Sequence, residues 1–370
     1  MAEPQTGRAI KTALLAPGQP AFLLTWIVLL SAALFACRMG QPPPGQKQPT
    51  VQEGSRTVNF GGGRPVGFLI CGPAGTNIWG IREIGKDLGL ATGVVTLPID
   101  WELYLRVTQS ARNLACLSNL KPDDLQCLSL RRSAIKNDSL RMITHLTGLK
   151  YLDLEETAID DDALRYLEPL KNLGAVEFMD APISDEGLKH FSDLPKLNAL
   201  YLRKTQVRGP GLAYLEGLPR LSVLDLSGPT TTDATIRHAI RLKRLVSLEL
   251  YSSSITDGGL VALKNCQLSR LGLHFTGITG RGLTYLTENE SLRDLDLRNT
   301  RFSDRYVPLL IQLTSLVELR LAGTNLTDTG ALKLQALKRL NRLVLPDHIS
   351  SKTVDALQKA LPGCTITQGE

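Results

Sequence analysis

Histidine exchanges protons near neutral pH more readily than any other side chain, so the five histidines are the first place to look for catalysis. His274 falls at the end of a predicted strand, with Tyr251 and Arg298 at the same position of the neighbouring repeats. No serine or cysteine nucleophile is placed beside it. The other four histidines lie in predicted helices, helix ends or a terminal cap: His145, His190, His238 and His348. The sequence therefore predicts no catalytic residues and a protein that is not an enzyme.

The cysteines and the glycine-rich stretches also give no sign of a cofactor. The six cysteines contain no C-x-x-C pair and no metal-ligand spacing, which favours buried free thiols and leaves a Cys116–Cys127 disulfide as an alternative. No Gly-Lys-Ser/Thr follows the glycines at 61–63 or 72–75, as a phosphate-binding loop would require. We therefore expect no cofactor, no bound nucleotide and no metal.

Acidic, basic and aromatic side chains recur at fixed positions about 24 residues apart, which suits recognition better than catalysis. On stacked strands such residues form columns on one face of a sheet, and Tyr and Arg carry much of the binding energy in protein interfaces. We predict that these columns bind a partner through the following residues: Tyr151, Asp153, Glu155, Glu177, Met179, Tyr201, Arg203, Asp225, Glu249, Tyr251, His274, Asp296, Arg298 and Arg320. Two alternatives stay open. Acids and arginines on neighbouring strands, about 5 Å apart, can pair with one another, and the acidic column can weakly bind a cation.

These columns depend on a 24-residue repeat that runs from Leu125 to about Leu361. Its clearest copy, Leu149–Asn172, reads LKYLDLEETAIDDDALRYLEPLKN, with apolar residues at offsets 0, 3, 5, 10, 15, 18 and 21. The spacing L-x-x-L-x-L predicts a short strand with alternate side chains inward, and the later spacing predicts a helix. One such unit cannot bury its apolar face alone, so stacked units should share a single core. Hydroxyl residues before the helices are expected to act as N-caps: Ser184, Thr256, Thr279, Ser303 and Thr327.

The repeat resembles the leucine-rich repeat family, and the resemblance covers roughly two-thirds of the chain. It implies an α/β solenoid with a parallel β-sheet on the concave face and helices on the convex face. The position after the strand that usually holds Asn or Cys is mostly a hydroxyl residue here, which we expect to satisfy the loop backbone: Ser133, Thr157, Thr205, Ser253, Thr276, Thr300 and Thr324. The sequence ITDGGL at Ile255–Leu260 is similar to F-box-associated repeats, and more so to the 24-residue repeats of exported bacterial proteins.

The first 65 residues predict a membrane tether. Residues 1–20 form a cytoplasmic-side n-region, and residues 21–37 include sixteen consecutive residues without a charge, as in an export signal or membrane anchor. The sequence LFAC resembles a lipoprotein signal box, in which Cys37 would carry the lipid. Residues 38–65 are rich in Pro and Gly and are expected to form a disordered linker. A cleaved signal and a buried apolar helix are the alternatives.

Two segments should cover the ends of the repeat stack. Residues 66–124 contain the strand-like sequences VGFLIC, GVVTLP and WELYLRV, which predict a β-rich N-terminal cap. The repeats then occupy residues 125–345, and residues 346–370 form a C-terminal cap that begins with a helix. The net charge of +6 is modest and spread along the chain, so we expect no nucleic-acid partner.

Together these features predict a membrane-tethered protein whose repeats lie outside the cytoplasm, on the cell-envelope or secreted side. It would bind a protein or peptide on the concave face, without catalysis and without a small-molecule cofactor. A ubiquitin-ligase substrate adaptor is one alternative, suggested by the F-box-like repeats, although that class requires a helical F-box before them. An envelope structural or glycan-binding protein that uses the convex or lateral surfaces is the other.

Overall fold

The structure, a computed structural model, describes residues 54–61, 65–74 and 85–369. The n-region 1–20, the apolar segment 21–37 with Cys37, and most of the predicted linker lie outside the described residues. Within the residues that are described, no helix is long and apolar enough to cross a membrane. The membrane tether therefore stays a prediction.

One sheet of 14 strands runs through the described chain. From β5 to β16, strands that are adjacent in the sheet are also consecutive in the sequence. These strands are parallel, whereas β2 and β3 extend the N-terminal edge antiparallel and β1 pairs separately with β4. This order confirms the predicted leucine-rich-repeat solenoid. The strands are β1 Ser55–Asn59, β2 Gly67–Pro73, β3 Lys86–Leu90, β4 Val94–Pro98, β5 Trp101–Val107, β6 Cys127–Ser129, β7 Tyr151–Asp153, β8 Ala175–Glu177, β9 Ala199–Tyr201, β10 Val223–Asp225, β11 Ser247–Glu249, β12 Arg270–Gly272, β13 Asp294–Asp296, β14 Glu318–Arg320, β15 Arg342–Leu345 and β16 Thr365–Gln368.

The inward side chains of the strands and of the convex elements form one continuous core. In the repeat that contains β7, Leu152 and Leu154 point inward from the strand and meet Leu164 and Leu167 from the convex side, and all four are fully buried. Each buried leucine contributes about 1.5–3 kcal/mol of hydrophobic free energy. The repetition of leucine at these offsets therefore holds the stack together.

A residue with positive φ follows each strand from β6 to β14 and turns the chain out of the sheet. Seven of these residues are not glycine and have φ between 52° and 56°: Arg132, Glu156, Asp180, Lys204, Ser252, Phe275 and Asn299. Gly228 and Gly323 fill the same position in two other repeats. The left-handed conformation is uncommon for residues with a side chain, so the repeat imposes it regardless of residue type.

The convex side is built mostly of 3₁₀-helices, where the sequence predicted α-helices. Strands stack about 4.8 Å apart whereas α-helices are about 10 Å wide, so the narrower 3₁₀-helix fits the spacing better. The 3₁₀-helices are Ala115–Asn119, Asn137–Ile143, Asp161–Leu167, Glu186–Phe191, Pro210–Leu215, Gly259–Leu263, Arg281–Tyr285, Asp304–Tyr306 and Leu334–Ala336, and the α-helices are Asp233–Ala239, Val307–Leu310, Asp328–Lys333 and Ser351–Ala360.

Hydroxyl groups and aspartates form hydrogen bonds with the polar groups of the loops between these elements. The hydroxyl predicted to replace the usual Asn donates to the leucine carbonyl three residues earlier, as Thr300 does to Leu297 at 2.7 Å. The predicted N-cap hydroxyls act differently. Thr256 donates to the carboxylate of Asp233 in the preceding repeat, at 2.7 Å, and the same carboxylate accepts the backbone N–H of Thr256 at 2.8 Å. Four of the five predicted hydroxyls connect repeats in this way. Three of them also accept the backbone N–H two residues later, as an N-cap does: Ser184, Thr256 and Thr279.

The N-terminal cap begins earlier than predicted. Strand β1 lies within residues 38–65, which the sequence analysis assigned entirely to a disordered linker. Val58 of β1 and Phe60 after it are buried in the core, so this part of the prediction is wrong. The glycines and prolines around the segment concealed its alternating pattern. At the other end, helix Ser351–Ala360 and β16 cover β15, which agrees with a C-terminal cap.

Candidate functional site

The predicted columns exist as continuous rows on the concave face. Because the strands pair in register, Asp153 lies beside Glu177, Glu177 beside Tyr201, and Tyr201 beside Asp225. The row continues through Glu249, Gly272, Asp296 and Arg320. Side chains in such rows cover one another, so most of the charged groups in them are buried.

In the C-terminal half, the concave acids pair with arginines of neighbouring strands. The Arg270 guanidinium lies between two carboxylates, with Nε 2.5 Å from Glu249 and Nη1 2.9 Å from Asp294. Arg320 likewise bridges Asp294 at 2.7 Å and Glu318 at 2.5 Å. A β-carbon added at Gly272 would collide with the Glu249 carboxylate, so glycine at this position leaves room for that group. Glu249 and Arg320 therefore form ion pairs within the concave face, as the alternative of mutual pairing between acids and arginines predicted.

Arg298 and Asp296 form a further ion pair next to His274. Both Nε and Nη2 of Arg298 donate to the Asp296 carboxylate, at 3.1 and 2.8 Å. Burial opposes ionisation of Asp296, but the hydrogen bonds from Arg298 and the charge of His274 outweigh it and lower the pKa of Asp296. Burial also lowers the pKa of His274 to about 4, although Asp296 acts in the other direction. His274 is therefore neutral at pH 7.

Four residues form a continuous stack across the ends of β9, β11 and β12 and the turn after β12. The Arg203 guanidinium lies over the Tyr251 ring, 4.7 Å from its centre. Tyr251 stacks on His274 with ring centres 4.3 Å apart and planes 13° apart, and Phe275 meets the edge of His274 at 5.8 Å. Phe275 is 54% exposed. We call Arg203, Tyr251, His274 and Phe275 the aromatic stack.

In the N-terminal half, three carboxylates converge instead of pairing with arginines one by one. Oxygen atoms of Asp153, Glu155 and Glu177 all lie within 4.8 Å of one another, and we call these residues the carboxylate triad. Ser129 donates to Asp153 at 2.7 Å, and Arg131 pairs with Glu155 at 2.6 Å.

Burial and neighbouring negative charge shift the titration of the carboxylate triad. Burial raises the pKa of Glu155 to about 7, against the lowering effect of Arg131. Burial, and then the charge of Asp153, raise the pKa of Glu177 to about 8. Both groups therefore hold protons at pH values where a surface glutamate is fully ionised.

The remaining predicted residues are buried or half-buried in their rows. Tyr151 is buried with Tyr104 and Cys127 in a small apolar cluster, and its hydroxyl donates to Glu177. Asp225 is also buried and accepts the backbone N–H of Ser227 at 2.8 Å. Tyr201 and Met179 are half-buried in their rows.

Sequence reasoning missed Phe275, Arg270 and Asp294 as members of the site. A signal for Phe275 was present, because its position holds Arg, Glu, Asp, Lys, Gly, Ser or Asn in other repeats. The roles of Arg270 and Asp294 depend on which side-chain rotamers meet, and the pattern does not specify them. Among the described cysteines, Cys71, Cys116, Cys127, Cys266 and Cys364 are free thiols, so the alternative of a Cys116–Cys127 bridge is wrong.

Comparisons with known proteins agree with this architecture. A family profile described as "Leucine Rich repeat" matches residues 312–334. An internalin (InlF) from Listeria monocytogenes is 21% identical, with a TM-score of 0.52, covering 70% of this chain and 71% of that one. Internalin C2 from the same organism (21% identity, TM-score 0.42, 56% and 84% coverage) and a TDR receptor (19%, 0.46, 70% and 44%) are more distant. No curated protein sequence gives a significant match. At these identities the internalin likeness shows the fold alone.

Proposed function

We propose that this chain, a leucine-rich-repeat protein, is a non-catalytic interaction module that binds a protein or peptide at the aromatic stack on its concave face. Repeat solenoids offer extended concave surfaces for recognition. The single observation that carries the proposal is Phe275, a large apolar side chain that is 54% exposed in a backbone conformation with φ of 55°.

Phe275 is costly for the free protein in two ways. A left-handed conformation costs a residue with a side chain roughly 1–2 kcal/mol, and Phe275 is the one large apolar residue among the seven non-glycine residues that adopt it. An exposed aromatic ring also leaves apolar surface in water. A partner that covers the ring would remove the second cost.

The neighbours of Phe275 have the composition and the rigidity of a binding hot spot. Tyr and Arg are enriched among residues that dominate interface energies, and here Tyr251 contacts both Arg203 and His274. Each sits at a strand end fixed by the sheet, so little conformational entropy is lost on binding. We therefore expect rigid-body docking of the partner.

Replacing Phe275 with glycine separates binding from folding. Glycine adopts positive φ without strain, so the free energy of unfolding of Phe275→Gly should stay within about 1 kcal/mol of the parent chain. Asn299→Gly, at the same position of the next repeat and with φ of 52°, is the matched control. Affinity capture from extracts of the source cells should enrich a partner on the parent chain and on Asn299→Gly, and lose it on Phe275→Gly. Equal capture by all three would refute the proposal.

We also propose that the repeats are displayed outside the cytoplasm by a membrane tether. The support is the sequence alone, namely the uncharged run within residues 21–37 and the signal-box resemblance at Cys37. The full-length chain should sediment with membranes and be released by detergent, and external protease should reach the repeats of intact cells. Loss of membrane association in Cys37→Ser would identify lipidation as the anchor, and a chain found wholly in the soluble cell fraction would refute the tether.

A further inference from the structure

The carboxylate triad differs from every other acid cluster described on the concave face in its charge balance. In the C-terminal half, Arg270, Arg298 and Arg320 are interleaved with the acids that they neutralise. In the triad three carboxylates lie around Arg131, which pairs with Glu155. Fully ionised, the triad and Arg131 have a formal charge of −2. This is the charge that one divalent cation would cancel.

One oxygen of Glu155 gives an independent indication of a missing positive partner. Glu155 is only 4% exposed, and its Oε2 accepts the ion pair from Arg131. Its Oε1 is shielded from solvent and has no hydrogen-bond donor among the described residues. A buried carboxylate oxygen without a donor is unfavourable and calls for an explanation, of which a bound ion is one. A cation at Oε1 would supply the compensation.

We propose that Asp153, Glu155 and Glu177 bind one hard divalent cation, for which Ca²⁺ is the best fit. The site goes beyond the partner-binding function proposed above and revises the sequence-based assignment of no metal. Carboxylate oxygens are the ligands that Ca²⁺ and Mg²⁺ prefer over the softer transition metals. The three carboxylates come from β7, from the turn that follows it and from the neighbouring β8. Ca²⁺ tolerates such a ligand set, whereas Mg²⁺ demands near-ideal octahedral geometry.

Three neighbouring side chains orient the proposed ligands. Ser129 donates to Asp153, Arg131 pairs with Glu155, and Tyr151 donates to Glu177. Such outer contacts fix the rotamers of metal ligands and contribute to affinity. Because β7 and β8 carry two of the three ligands in register, the sheet brings the carboxylates together before any cation binds. Binding therefore needs no large rearrangement.

Calorimetric titration of the full-length, EDTA-stripped chain tests the site. CaCl₂ should bind at one ion per chain with a dissociation constant on the order of 10⁻⁴ M, and MgCl₂ more weakly. Tb³⁺ provides a second readout, because Tyr201 on the strand next to Glu177 can sensitise its luminescence. Ca²⁺ should compete this signal away. The proposal would be overturned if neither assay showed saturable binding of Ca²⁺ or Tb³⁺.

Shape-conserving variants test the ligands. Asp153→Asn, Glu155→Gln and Glu177→Gln should each weaken Ca²⁺ binding by at least about tenfold, because ligand charge sets affinity in such sites. Glu318→Gln is the matched control, since Glu318 is a buried concave glutamate already paired with Arg320. Its affinity for Ca²⁺ should equal that of the parent chain. If any triad variant that keeps the parent circular dichroism spectrum binds Ca²⁺ as tightly as the parent, the assignment is wrong.

Discussion

Buried carboxyl groups on the concave face are individually costly, and Glu177 is the clearest case. Its pKa rises to about 8 because burial and the charge of Asp153 disfavour the ionised form. The hydrogen bond from Tyr151 acts in the opposite direction without offsetting them. The folded protein therefore holds a proton on Glu177 that the unfolded chain, with an ordinary glutamate, releases at lower pH.

This difference predicts a loss of stability with rising pH in the presence of EDTA. Between the unfolded pKa near 4.5 and the folded pKa of about 8, the folded state binds more protons, so the free energy of unfolding falls as pH rises and levels off above pH 8. One such group contributes a slope of up to about 1.4 kcal/mol per pH unit. Denaturant unfolding across this range should show a shallower slope for Glu177→Gln than for the parent chain. An unchanged slope would mean that Glu177 titrates normally.

Phe275 and Glu155 show why parts of the candidate site could not be read from the sequence. The columns that contain Tyr251 and His274 follow from the 24-residue period alone. The aromatic stack also requires Phe275, which the turn rotates towards His274, and the triad requires Glu155 to lie near Glu177 instead of turning to Arg131 alone. Whether these side chains come into contact depends on their rotamers, which a repeat pattern does not encode.

At the scale of elements, a ladder of aspartates connects six of the convex segments to the repeat that follows. The residue at offset 12 of six repeats accepts hydrogen bonds from the following repeat: Asp161, Asp185, Asp233, Asp257, Asp304 and Asp328. The strands and the leucine core were predictable because their periods are fixed by geometry. The ladder was not, because it joins residues of different repeats.

Removing one step of the ladder should destabilise the stack locally. Asp257 accepts the hydroxyl of Thr279 at 2.6 Å and the backbone N–H of Gly282 at 3.0 Å. In Asp257→Ala the free energy of unfolding should fall by about 1–3 kcal/mol, because these donors lose their partner. Asp193→Ala is the control, since Asp193 is exposed and pairs only at the surface with Lys171. Equal unfolding midpoints for the two variants would show that the ladder adds no stability.

The ladder also explains why glycine often stands two residues after the ladder aspartate: there the chain passes close to the ladder aspartate of the preceding repeat. A β-carbon on Gly259 would lie 2.4 Å from the Asp233 carboxylate, whereas one on Gly217 would meet nothing within 4 Å. Gly259→Ala should therefore lower the free energy of unfolding by about 1–3 kcal/mol, through crowding of the ladder. Gly217→Ala should leave it unchanged or raise it slightly, by reducing the entropy of the unfolded chain. Thermal denaturation of both variants would detect the contrast, and a stable Gly259→Ala would contradict the proposed close approach.

For the whole described solenoid, stability is a sum of repeats and of the contacts between neighbours. Each repeat pairs only with the repeats before and after it. An end of the stack without a cap would therefore expose the core of the last repeat to water. The C-terminal end is covered by helix Ser351–Ala360 and by β16, which pairs with β15. Leu357, Leu361 and Cys364 of this cap are buried against the stack. The cap therefore replaces the repeat that would otherwise follow.

Deleting residues 346–370 should destabilise the solenoid from one end. The inward Leu343 and Leu345 of β15 would then face water, and the strand would present an unpaired edge. Amide hydrogen exchange should lose protection first in β15 and β14, and β7, eight strands away, should keep most of its protection because coupling passes only between neighbours. The truncated chain should also associate through the new edge in a concentration-dependent manner. Uniform loss of protection from β6 to β15 would instead show that the repeats unfold as one cooperative block, and unchanged exchange throughout would show that the C-terminal cap is dispensable.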